Sequence, residues 1–157
     1  MSKFFIPKRY DENMAEAGVW FEVFDENDNF YGSFKLRFLD NTTNKTHLEA
    51  KRLMRKYKID ATGKGKRSDA EKAAEANKFA RVIFCEMILC GWKLPKDAND
   101  LNPKESEYTV EDGIEYFEQA GTEHVMVTLN HFAEDPTNFI GTPTADAKAE
   151  VEDTVKN

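Results

Sequence analysis

Long apolar stretches are missing from this chain. No run approaches the ~18 apolar residues that a membrane-crossing helix needs. The start, Met1-Ser2-Lys3-Phe4-Phe5-Ile6-Pro7, holds too short an apolar segment for a secretory signal, so the expected location is a cytoplasm. Cysteine is scarce: Cys85 and Cys90 lie five apart within one predicted helix, on faces too divergent for an easy disulfide. They read as reduced core residues in a reducing compartment, which leaves the sequons at Asn41 and Asn44 chemically idle. Histidine is nearly as sparse. His124 and His131 stand seven apart on one predicted helix, rather than the three or four that share a metal, and His47 is remote from both. No Ser or Cys nucleophile has a convincing base in the pattern, so no catalytic, cofactor or metal site is assigned and the chain is not read as an enzyme.

What is present points to one folded domain. The 157 residues are 40% hydrophobic and include 12 Phe, too apolar for an intrinsically disordered chain, and 32% are charged, too many for a membrane protein. The net charge of −7 is unevenly spread. Nine Lys or Arg lie between Lys45 and Arg67, against Glu49 and Asp60 alone. From Asp97 onward, 15 Asp or Glu face only Lys104, Lys148 and Lys156. Such a field can steer charged partners or further copies of the chain, although two solvated faces explain it as well.

Residues 1–17 mix apolar and charged types without a period, and Pro7 interrupts their one hydrophobic cluster, so a loosely anchored arm is expected. Residues 18–39 then carry two extended runs, Val19-Trp20-Phe21-Glu22-Val23-Phe24 and Phe30-Tyr31-Gly32-Ser33-Phe34-Lys35-Leu36-Arg37-Phe38, separated by Asp25-Glu26-Asn27-Asp28-Asn29. This is a β-hairpin signal. Phe34, Leu36 and Phe38 share one face of the second run and need a helix against it. Asp25, Asn27 and Asn29 resemble the start of a calcium loop, but Phe30 stands where that loop needs Gly and Leu36 where it needs Glu. An Asp- and Asn-rich turn suffices.

Residues 44–140 read as helical. A short basic amphipathic helix carries Leu48, Leu53, Met54 and Tyr57 on one side and Lys51, Arg52, Arg55 and Lys56 on the other. Gly63-Lys64-Gly65-Lys66-Arg67 follows, with glycines too close together for a phosphate loop. Charge alone leaves nucleic-acid binding open, but no recognition fold is visible and the net charge opposes it. Ser68 can cap a long helix over residues 69–90, with Asp69 and Glu71 in its first turn. Its latter half is apolar on two sides, through Phe79, Ile83 and Met87 and through Val82, Phe84, Ile88 and Leu89. Such a helix is central in a core or pressed against a partner. Glu86 sits inside that block; with no second acid or His nearby, pairing with Arg81 or exposure is preferred to a role as general acid. Gly91 suits a helix C-cap, and Trp92 and Leu94 precede Pro95 and a polar loop. Thr109 caps the next helix, which runs to Gln119, and Thr122 opens a last one that ends at Asp135-Pro136. Residues 142–157 lack an apolar face and read as a disordered tail. The expected fold is α+β and mainly α-helical: an N-terminal β-hairpin packed on a bundle of about four helices, forming a single domain over residues 18–141.

The order of these pieces resembles the tail assembly chaperones of long-tailed bacteriophages. The likeness spans roughly residues 18–140 and is carried by the hairpin Gly18-Val19-Trp20-Phe21-Glu22-Val23 with Phe34-Lys35-Leu36, and by the basic helix after Asn44-Lys45. Its strongest parts are Glu86-Met87-Ile88-Leu89-Cys90-Gly91-Trp92 and Tyr108-Thr109-Val110-Glu111-Asp112-Gly113. The chain departs from the family at Asp97-Ala98-Asn99-Asp100-Leu101-Asn102-Pro103, where an Asp-Gly turn is usual, so that loop is not carried over.

The resemblance implies a small protein of the infected cell's cytoplasm that binds and solubilises the tape measure protein, supports tail tube polymerisation and is absent from the mature virion. It also implies that a frameshifted extension can recruit tail tube protein. The expected partner contacts are Trp92, Leu94, Tyr108 and Phe139, with closure of the core as the competing role for each. Self-association through the basic and acidic halves stays open. A different class of function is an acidic phage-encoded inhibitor of a host nucleic-acid enzyme; its mark is acids regularly spaced on one exposed face.

Overall fold

The computed structural model describes residues 3–60 and 68–140. Their elements are α1 (Glu12–Ala17), β1 (Val19–Phe24), β2 (Phe30–Leu36), α2 (Asn44–Lys56), α3 (Asp69–Ile83), β3 (Leu89–Lys93), α4 (Val110–Glu118) and α5 (Glu123–Glu134). A π-helical turn, Phe84–Ile88, joins α3 to β3, and a 3₁₀ turn, Pro136–Phe139, follows α5. The fold is α+β, as the hydrophobic periods imply. The expected basic loop at residues 63–67 and the tail at residues 142–157 lie outside the described residues. No helix among the described residues is long and apolar enough to cross a membrane.

The hairpin forms where the alternation places it. β1 and β2 pair antiparallel, with Phe21 opposite Phe34 and Trp20 opposite Lys35. The connecting turn is built by one side chain. Asp25 Oδ1 accepts from the amides of Asn27 (2.8 Å) and Asn29 (3.0 Å), and Oδ2 accepts from Asn29 Nδ2 (2.9 Å) and the Tyr31 hydroxyl (3.0 Å). The oxygen pattern that resembled a calcium loop is thus spent within the turn.

The long helix over residues 69–90 is not formed as expected. Ser68 caps α3, its side chain accepting from the Glu71 amide at 3.2 Å, but α-helical geometry ends at Ile83. The chain widens into the π turn, closed by the Leu89 amide on the Phe84 carbonyl, and then becomes a strand. β3 lies antiparallel to β2, making a three-stranded sheet in the order β1-β2-β3 in place of a two-stranded hairpin. Gly91 is therefore not a helix C-cap: it sits in β3 opposite Lys35, where an added Cβ would lie 3.3 Å from the Lys35 Cβ. The reason is non-local. Ile88-Leu89-Cys90-Gly91-Trp92 suits a buried strand as well as a helix, and β2 offers an edge of unpaired N–H and C=O groups that only another strand satisfies.

The expected arm over residues 1–17 also needs correction in its second half. Asp11 caps α1, Oδ1 accepting from the Asn13 and Met14 amides, and the Asp11 amide donates to the Phe139 carbonyl at 2.7 Å. The Phe38 amide donates to Ala15 O, and the Tyr10 ring packs on Phe38 at 4.5 Å. Among the described residues, 3–9 keep the character of an arm, with Phe5 91% and Ile6 76% exposed.

One sheet face is covered by α4, α5 and the π turn. Phe34, Leu36, Phe84, Leu89, Trp92, Phe117, Val125 and Leu129 form its core. Phe21 stacks on Phe132 with ring centroids 4.7 Å apart, and Phe84 meets Phe117 edge-on at 5.2 Å. Each such fully buried side chain contributes about 1.5–3 kcal/mol. A second cluster, Leu53, Ile59 and Val82, fastens α2 to α3.

Candidate functional site

The four expected contact residues do not form an exposed edge. Trp92, on the inward face of β3, is 5% exposed; its indole Nε1 donates to the Glu107 carbonyl at 3.3 Å and its ring meets Tyr108 edge-on at 4.9 Å. Phe139 is fully buried between Phe21 and Phe38. Tyr108 is half-buried with its hydroxyl committed to the Cys85 carbonyl at 2.7 Å. Leu94, also half-buried, lines a shallow cavity of about 750 Å³ formed by the loop between β3 and α4. Trp92 and Phe139 are core residues and Tyr108 packs against the core, whereas Leu94 borders an open cavity. Placing Trp92 at a helix end had implied an edge; as a strand residue facing the helices it is covered.

Tyr108 is the keystone of this junction. The Tyr108 hydroxyl donates to the Cys85 carbonyl inside the π turn, four residues before the chain leaves helical geometry at Leu89, and so ties the start of α4 to that turn. The ring lies so close over α4 that a Cβ at position 113 would sit 2.5 Å from the hydroxyl oxygen, so Gly113 is required there. Burial raises the Tyr108 phenol above its ordinary value and pushes the Cys85 thiol up to about 12. Such a thiol is a poor nucleophile. Both cysteines are free.

Glu86 pairs across the fold rather than with Arg81. Its Oε1 accepts from Lys56 Nζ (3.1 Å) and the Tyr57 hydroxyl (2.8 Å), clamping the end of α2 onto the π turn. Burial, followed by that hydrogen bond, pushes the Tyr57 phenol up to about 12. The carboxylate is 14% exposed and held by two donors, an arrangement suited to structure. Among the described residues no group of three His, Cys, Asp or Glu side chains could hold a metal ion.

The feature that sequence reasoning missed is an open apolar cleft of about 330 Å³. α3 supplies Phe79, Ala80 and Ile83; α5 supplies Asn130, Ala133 and Glu134; Leu39 and Asn41, just after β2, close the third side. Its sequence signal is the apolar stripe of the long helix that carries Phe79 and Ile83 one turn apart. That signal shows apolar surface but not which neighbour leaves it uncovered. The alignment of α5 beside α3 decides this. No protein-family model, curated protein or solved structure matches the chain.

Proposed function

We propose that this protein is a tail assembly chaperone of a long-tailed bacteriophage, acting in the host cytoplasm to bind and solubilise the tape measure protein and absent from the mature virion. The carrying observation is the apolar cleft between α3 and α5. A tape measure chain is long, helical and striped with apolar residues, and a groove of this size accepts one row of side chains from an amphipathic helix. The net charge of −7 suits a protein that must keep such a partner soluble. The segments carrying the family resemblance also pack as one unit: Phe34 pairs with Trp92 across the sheet, and Trp92 abuts Tyr108 at the start of α4. Recruitment of tail tube protein by a frameshifted extension belongs to the same proposal. No catalytic role is proposed.

Co-expression with the adjacent tape measure gene, followed by pull-down, tests this. The tape measure protein should stay soluble and be retained, and Ala80→Glu, which fills the cleft from an exposed helical position, should release it without lowering the melting temperature. Failure of the unmodified chain to retain or solubilise the tape measure protein sinks the reading. One observation favours the alternative of an acidic inhibitor of a host nucleic-acid enzyme. Glu111, Glu115 and Glu118 are exposed at helical spacing on α4. That reading requires an enzyme partner whose binding weakens steeply with salt.

A further inference from the structure

We propose that the free edge of β1 pairs with the same edge of a second copy of this chain, antiparallel about a two-fold axis at Phe21, joining the two sheets into one. Neither the α3–α5 cleft nor the tape measure protein takes part. β1 is an outer strand in the order β1-β2-β3. The other outer strand, β3, is partly closed by the bridge between Trp92 and Ser106. Among the described residues no segment closes β1 in that way.

Hydrogen-bond direction shows which groups stand free. Successive residues of a strand turn their N–H and C=O groups to opposite sides. The Trp92 carbonyl accepts from the Ser106 amide at 3.3 Å, on the far side of β3, so Phe34 opposite Trp92 turns toward β1. Phe21, opposite Phe34, then turns toward β2, and the backbone groups of Trp20 and Glu22 point outward from the edge. Among the described residues no partner takes them. Edges are ordinarily blunted by proline, lysine or a bulge. Val19-Trp20-Phe21-Glu22-Val23 holds no proline or lysine, and the bulge lies beyond it, between Val23 and Phe24.

Charge and register select a second copy as the occupant. Glu22 is exposed and forms no ion pair among the described residues. The Lys35 and Lys93 ammonium groups lie over the Trp20 ring, 5.9 and 4.3 Å from its centroid. With the axis at Phe21, Trp20 of each copy faces Glu22 of the other, so each carboxylate arrives beside a ring already flanked by two cations. About four backbone hydrogen bonds join these pairs. An axis at Glu22 would instead set two carboxylates opposite each other, and one at Trp20 would aim Glu22 at Gly18, whose amide is already given to Met14. On the inner face the two half-buried Phe21 side chains meet at the axis, beside the Phe132 rings on which they stack.

Analytical ultracentrifugation of the full chain tests the pairing, in ~0.15 M salt so that the net charge is screened beyond ~8 Å. A concentration-dependent dimer is expected. Glu22→Pro removes an amide that points away from β2, so the hairpin keeps its ladder while the dimer loses donors. Glu22→Lys sets like charges together across the axis. Each should weaken the dimer at least about tenfold, the equivalent of ~1.4 kcal/mol, with the far-UV circular dichroism unchanged. Glu22→Lys with Lys93→Glu, which leaves the net charge as it was, should restore most of the lost affinity. A chain that stays monomeric at every concentration leaves the edge to a foreign strand and overturns the proposal. So does a dimer indifferent to both Glu22 variants, or a charge-swapped chain as weak as Glu22→Lys alone. If Glu22→Pro unfolds the chain, the two lysine-bearing variants decide by themselves.

Discussion

Replacing Gly113 by alanine sets two effects of opposite sign against each other. In an ordinary helix interior the change stabilises by ~1 kcal/mol through reduced backbone entropy of the unfolded chain. Here the new Cβ would lie 2.5 Å from the Tyr108 hydroxyl oxygen, 2.8 Å from Cε1 and 3.0 Å from Cζ. The ring cannot swing away freely, because Trp92 holds it edge-on at 4.9 Å and the Cys85 carbonyl holds its hydroxyl at 2.7 Å. Relief therefore strains the packing, at ~1–3 kcal/mol, and also breaks the hydrogen bond to the Cys85 carbonyl, at a further ~1–3 kcal/mol. Subtracting the helix gain leaves a net loss of about 3 kcal/mol. Urea unfolding followed by tryptophan fluorescence measures it, with Tyr108→Phe and the double variant completing a cycle. The hydroxyl's bond cannot be lost twice, so the double variant should cost less than the sum of the singles by about 1 kcal/mol. A Gly113→Ala chain more stable than the parent, or single costs that add within ~0.5 kcal/mol, refutes the account of the junction.

Trp92→Ala should cost about 3–5 kcal/mol and reduce melting temperature and tape measure binding together; lost binding at an unchanged melting temperature would instead put Trp92 at an interface. Tyr57 and Tyr116, both pushed from 10.0 up to about 12 chiefly by burial, should ionise late in an absorbance titration of the folded chain. Keeping these phenols neutral contributes stability that is full below pH 10 and is lost as pH rises from 10 to 12, so unfolding in that window should release both protons together. Asp25, lowered from 3.8 to about 2, first by the Asn29 side-chain hydrogen bond, contributes stability that is present above pH 3.8 and lost as pH falls toward 2. Its carboxyl carbon shift in an NMR titration should turn over near 2, and a midpoint near 3.8 would mean the turn does not form as described.

The hairpin was legible because alternation over residues 19–38 is a local signal with one solution. The caps at Ser68 and Thr109 were legible for the same reason: a side-chain oxygen reaches an amide two or three residues away whatever the rest of the chain does. α1 was missed because six residues with no clear period give little signal by themselves; the Asp11 amide on Phe139 and Phe38 on Ala15 tie it down from far along the chain. The partner of Glu86 was misread for a related reason. Arg81 is close in sequence, while Lys56 and Tyr57 reach Glu86 only because Leu53 and Val82 pack α2 onto α3.

By itself the sequence determined the α+β class, the hairpin with its Asp25 turn, the starts of α3, α4 and α5 and an apolar centre near residues 79–92. Each follows from periodicity or from side-chain bonds spanning a few residues. Tertiary structure alone decided that residues 89–93 are a strand and that Trp92, Tyr108 and Phe139 face inward, and it alone left the α3–α5 cleft open. An apolar run such as Ile88-Leu89-Cys90-Gly91-Trp92 satisfies helix and strand alike. The choice falls to the unpaired edge of β2, which lies more than fifty residues earlier and reaches the run only once the chain has folded.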